Sequence, residues 1–189
     1  MNHYNFLKQS VLNFRYQFRY KDTLDIHEDG NNSYNKFLIY SNKQNLRYEL
    51  GFFHDELFVY APIYQPSYPV FRLMNDEFWK KMLSLNEFAH LKFFQNSAND
   101  YIKNKFNRKV ATSPIFELIK NFVLVEEYNS YNVDMGGFDI TFHQEKPESE
   151  LMNDVINALN VVYFLNNELA KKCTKQFISK NYLNGYMSE

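Results

Sequence analysis

Two short segments place an imidazole beside carboxylates, His27-Glu28-Asp29 and His54-Asp55-Glu56. Imidazole nitrogen and carboxylate oxygen together form the ligand set of many metal ions. Adjacent residues seldom converge on one ion, however, and both segments sit among turn-forming residues, so both read as solvated turns and no metal is expected. A third candidate is the alternating run Asp139, Thr141, His143. These share one face of an expected strand, but residues four apart in a strand are separated by ~13 Å. Proton transfer needs heavy atoms at about 3 Å, so an acid-base role for His143 requires a partner from another element. Cys173 is the only cysteine, which excludes an intramolecular disulfide and fits a reducing compartment. Its expected place after a long helix puts it at the end whose dipole opposes a thiolate, despite Lys171, Lys172 and Lys175 nearby. It reads as a structural thiol.

Local signatures of larger catalytic classes are missing. The five glycines are Gly30, Gly51, Gly136, Gly137 and Gly185, and none lies in a phosphate-cradling GxGxxG or GxxxxGK[ST] loop. GxSxG, HExxH and CxxC are also absent. Enzymes that depend on those signatures are excluded, and no cofactor is expected.

The formal net charge is −1, so no global field draws in nucleic acid, and a nucleic-acid partner is not expected. Charge is concentrated locally instead. Lys103, Lys105, Arg108 and Lys109, interleaved with Tyr101 and Phe106, form a basic cluster that reads as a solvated helix end. Glu145, Glu148 and Glu150 form one acidic stretch. Asp22, Asp25, Glu28 and Asp29 form another, in an expected loop over residues 22–35. This second stretch is the candidate binding surface, with Tyr20 and Tyr34 at its flanks as apolar anchors. Aromatic residues reach 19% of the chain. Asn, Lys, Phe, Tyr and Ile are all abundant and all have AT-rich codons, so most of these rings read as core material.

The elements that position these residues follow from periodicity. Phe14 to Tyr20 alternates aromatic and polar residues, which predicts a strand after a short helix over 3–9; the four-three-four spacing of Leu7, Val11, Phe14 and Phe18 is the helical alternative. Lys36–Ser41, Asn45–Phe53 and Glu56–Ile63 read as three strands joined by turns so short that the pairing must be antiparallel. Pro62, Pro66 and Pro69 make residues 62–70 an irregular connection. Asn75-Asp76-Glu77 caps a helix expected over 76–94. Ser97 and Asp100 open a second, Ser113-Pro114 a third, and 122–125 reads as a strand. Met135-Gly136-Gly137 turns into a strand carrying Phe138, Ile140 and Phe142. Leu151, Val155, Ala158, Val162, Leu165 and Leu169 form one stripe of a helix over 148–172, widened by Ile156, Leu159 and Tyr163.

The expected fold is α+β, a single domain over residues 1–189 with an antiparallel meander packed against several helices and a long C-terminal helix. No stretch approaches the ~18 apolar residues of a membrane span, and no signal segment is evident. The expected setting is cytoplasmic. The expected function is non-catalytic binding of another protein, as an inhibitor, an immunity-type antidote that neutralises a toxin in bacterial fashion, or an adaptor. The alternative is a small hydrolase or nuclease whose site is assembled from dispersed residues.

Overall fold

Residues 3–18 form one helix, which corrects the helix-then-strand reading. The computed structural model describes residues 2–31, 34–63, 74–94, 137–142 and 145–185. Helix α1 (His3–Phe18) begins at Asn2, whose side chain accepts from the Asn5 N–H at 3.1 Å. Its buried face is Phe6, Leu7, Ser10, Val11, Phe14 and Phe18. Residues four apart share a face in a helix and in a strand alike, so Phe14 and Phe18 satisfy both periods. What decides between them is that the stripe continues back to Phe6, longer than an ordinary strand.

The expected loop over 22–35 is also corrected: β1 (Leu24–Asn31) pairs antiparallel with β2 (Tyr34–Ser41), from Leu24 opposite Ser41 to Asn31 opposite Tyr34. The expected meander follows, with β2 paired to β3 (Leu46–Phe53) and β3 to β4 (Glu56–Pro62). His54 and Asp55 form the two-residue turn between Phe53 and Glu56, with φ of 48° and 64°. Two positive φ values in a two-residue loop make a type I′ turn, whose twist matches that of the flanking strands. His54 and Asp55 are thus the turn residues of this hairpin.

Helix α2 (Asp76–Ser84) starts at Asn75, whose Oδ1 accepts from the Phe78 N–H at 3.1 Å. It is about half the expected length. A 3-10 turn over Leu85–Glu87 follows, and then β5 (Ala89–Phe94) replaces the second half of the expected helix. β6 (Gly137–Phe142) pairs with both β4 and β5, so the sheet order is β1-β2-β3-β4-β6-β5, antiparallel throughout. Helix α3 (Glu148–Gly185) runs past the expected end at residue 172 and spans 38 residues. The readings over 95–136, including the basic cluster, and that of His143 lie outside the described residues.

Helices and sheet meet across one face. Phe37, Ile39, Tyr48, Leu50, Phe52, Leu57, Val59, Ala61, Phe138, Ile140 and Phe142 are buried there. α1 packs on β1, β2 and β3, α3 on β4 and β6, and α3 also touches α1 and α2. The expected stripe of α3 is buried in full, from Leu151 to Leu169, with Ile156, Leu159 and Tyr163. Among the described residues, no helix is long and apolar enough to cross a membrane.

Candidate functional site

The four carboxylates of the candidate surface do not act as one group. Asp22 lies between α1 and β1 and is turned inward. Its Oδ2 accepts from the Ser41 hydroxyl and from Tyr163 Oη at 2.9 Å, and its Oδ1 accepts from the Lys43 N–H at 3.0 Å. Three donors on one carboxylate fasten the start of β1 to the β2–β3 turn and to α3. Burial raises the Tyr163 hydroxyl well above the ordinary tyrosine range, and its bond to Asp22 raises it further.

The same polar chain continues into the core. Ser41 Oγ accepts from the Gln44 N–H at 3.1 Å, and Gln44 Nε2 donates to the Tyr163 carbonyl at 2.9 Å. The Tyr48 hydroxyl donates to Gln44 Oε1. Asn166 Nδ2 donates to Tyr48 Oη at 3.2 Å and to the Pro62 carbonyl at 2.8 Å. Burial holds the Tyr48 hydroxyl far above its usual range, against the opposing effect of the Asn166 bond. This network ties strand to helix and belongs to the fold.

The other three carboxylates sit on β1. Strand alternation puts Glu28 on the helix-covered face with Leu24 and Ile26, and Asp25, His27 and Asp29 on the opposite face. Glu28 Oε1 accepts from Tyr4 Oη at 2.9 Å. Asp25 Oδ2 accepts from Asn42 Nδ2 at 2.8 Å. Asp29 lies 3.4 Å from Lys36 Nζ, which also reaches Glu49 at 3.0 Å, and Arg47 meets the same Glu49 at 2.8 Å. Burial works against the Arg47 charge, yet the hydrogen bond with Tyr40 and the Glu49 carboxylate raise its pKa overall. His27 packs edge-on against the Tyr40 ring, 5.4 Å between centroids. Asp25, His27, Glu28 and Asp29 remain exposed. Among the described residues, β1 pairs only with β2, so its other edge is open, and no three His, Cys, Asp or Glu side chains are grouped to hold a metal ion.

The two flanking tyrosines fall at opposite ends of this edge. Tyr20 follows α1, ahead of the first residues of β1, and is 86% exposed. Tyr34 opens β2, opposite the last residue of β1.

A second surface is hidden by the strand reading of residues 14–20, which turns their rings inside. On the helix, Lys8, Leu12, Arg15, Tyr16 and Arg19 share the exposed side, with Leu12 at 50% and Tyr16 at 64% exposure. The Arg19 guanidinium lies 3.7 Å from the Tyr16 ring centroid and 4.6 Å from that of Tyr20, a cation–π stack on both. Residues 2–21 contain no Asp or Glu, a signal in plain view in the sequence. Among the described residues, Lys8, Arg15, Arg19 and Lys21 enter no ion pair.

Comparison with protein-family models, with curated proteins and with solved structures gave no match to this chain.

Proposed function

We propose that this chain is a non-catalytic protein-binding module whose contact surface is the β1 edge. What supports the reading is a single observation: three exposed carboxylates, Asp25, Glu28 and Asp29, lie along an edge strand whose outer hydrogen-bonding row has no strand beside it among the described residues. An open edge is a template for main-chain pairing or for cover by another element. Its acidic side chains select a basic occupant and speed its approach. An inhibitor or immunity-type antidote that occupies the positively charged surface of a target would work in this manner. Asp22 is no part of the contact surface, since its carboxylate is committed to Ser41, Lys43 and Tyr163. Tyr20 is the flanking anchor on the α1 side.

The test is affinity capture from the source cell with wild type and with the triple variant Asp25→Asn, Glu28→Gln, Asp29→Asn, at low and at high salt. The expected result is a partner with a basic contact surface, retained by wild type at low salt, depleted at high salt and depleted by the variant. The same proteins retained by both chains at both salts would refute the reading. A circular-dichroism melt of the variant, unchanged within a few degrees, establishes that the fold is intact.

A further inference from the structure

We propose that the basic occupant of the β1 edge is α1 of a second copy of this chain, in a two-fold dimer that lays each α1 along the other copy's β1. The proposal rests on the reading of β1 as a binding surface and names its partner.

The two surfaces match in charge and in position, and the helix adds exposed apolar area. In charge, the exposed side of α1 carries Lys8, Arg15 and Arg19 with no acid, while β1 carries Asp25 and Glu28. In hydrophobicity, Leu12 and Tyr16 stand exposed on the helix, and an edge strand protected by a helix is a common way to close a sheet. In position, α1 and β1 are neighbours within one copy and run in opposite directions. The Tyr4–Glu28 hydrogen bond marks one end, and the short connection from Phe18 to Leu24 marks the other.

That position makes the surface self-complementary. A two-fold axis parallel to α1 exchanges helix and strand while keeping each residue's place along the helix. With Tyr4 level with Glu28, a helical rise of 1.5 Å puts Lys8 about 6 Å along. A strand rise of 3.3 Å puts Asp25 about 10 Å along. Lys8 of one copy therefore falls between Glu28 and Asp25 of the other. Arg15, about 16 Å along, lies one arginine length beyond Asp25. Both contacts occur twice, as an isologous interface requires. Direct pairing of β1 with a second β1 is disfavoured, because an antiparallel pair centred on His27 sets Asp25 opposite Asp29, and like charges directly opposite repel.

The helix is about 24 Å long at 16 residues. Strips of that length and about 10 Å width, used twice, bury about 1,000 Å² in total, at the lower limit for a specific complex. The dimer should therefore be weak and sensitive to salt.

The experiment is analytical ultracentrifugation of the full chain at up to about 100 μM, in about 0.05 M and about 0.5 M salt. Wild type should sediment mainly as a dimer at low salt and shift to monomer at high salt. Lys8→Glu with Arg15→Glu, and separately Asp25→Lys with Glu28→Lys, should each be monomeric. Mixing these two variants should restore a dimer, since each reversed surface then meets its complement. If a reversal prevents folding, the neutral pairs Lys8→Gln with Arg15→Gln and Asp25→Asn with Glu28→Gln take its place, with at least a fivefold weaker association expected. A wild type that stays monomeric throughout, or a dimer that both single-surface variants retain, overturns the proposal. A monomeric wild type still leaves β1 as a binding surface to be decided by the capture experiment, so the two failures are distinguishable.

Discussion

Replacing Tyr163 by Phe removes one hydroxyl, and its effect should depend on pH in a way that no packing change would imitate. In the native chain, Tyr163 Oη donates to the Asp22 carboxylate at 2.9 Å, and Asp22 keeps its bonds from Ser41 and Lys43 when that donor is lost. A hydrogen bond to a charged group contributes about 2 kcal/mol, so Tyr163→Phe should cost about that much near neutral pH. The folded hydroxyl titrates well above the ordinary value of 10.0, because it is buried and bound to Asp22. A group whose pKa is raised by folding contributes its full stability below the unfolded pKa and loses it as pH rises through the gap. Above pH ~10 the unfolded tyrosine releases a proton that the folded one retains, so wild type loses about 1.4 kcal/mol per pH unit through this residue alone. The phenylalanine ring of the variant has no proton to lose. The wild-type advantage should hold constant up to about pH 10 and vanish at about pH 11.5. Urea unfolding followed by circular dichroism across that range measures it directly. A deficit in Tyr163→Phe that is the same at every pH, or that widens in alkali, would refute the role assigned to the Asp22–Tyr163 pair.

Two further outcomes follow from burial and backbone geometry. Val162 is fully buried in α3, so Val162→Asp should place an unpaired carboxylate in the core and cost about 4 kcal/mol or more, read as a large fall in thermal midpoint. Asp55 holds a φ of 64° in the β3–β4 hairpin, where a side chain is strained, so Asp55→Gly should raise stability by about 0.5–1 kcal/mol in the same melt.

The parts of the fold legible in the sequence are those with a single physical solution. Turns of two to four residues leave β2, β3 and β4 no arrangement but a meander. Six apolar residues in phase leave α3 no face to bury but the one observed. The misread parts are those where two periods agree or where neither shows. Phe14 and Phe18 fit strand and helix alike, and the buried stripe back to Phe6 separates the two, in line with the exposure of Tyr16 and Tyr20. β1, with only Leu24 and Ile26 facing the core, is held as a strand by its ladder to β2 and not by its own residue preferences. α2 gives up its second half because Ala89–Phe94 is needed beside β6, a pairing that no local pattern announces. Of the candidate surface, the acidic residues are legible as a group but their separation is not. Asp22 is three positions from Asp25, yet it faces Tyr163 across the core, and its inward turn depends on α3, far along the chain.

The insertion of β6 between β4 and β5 bears on how the chain reaches this fold. β1 to β4 meet through neighbours in sequence, with Ser41 opposite Leu46 and Phe53 opposite Glu56. β6 reaches β4 only by bringing Gly137 opposite Pro62, roughly 75 positions apart. Loop-closure entropy grows with the logarithm of length, so that junction costs about 2.5 kcal/mol more to close than the β2–β3 turn. The meander can form from local contacts, whereas β6 gains its pairing only after this longer search, and β5 gains a neighbour only once β6 is in place. The line between β4 and β6 is therefore a kinetic seam in a sheet that is continuous in space. It closes after the meander as the chain folds and is a line along which the sheet would part early.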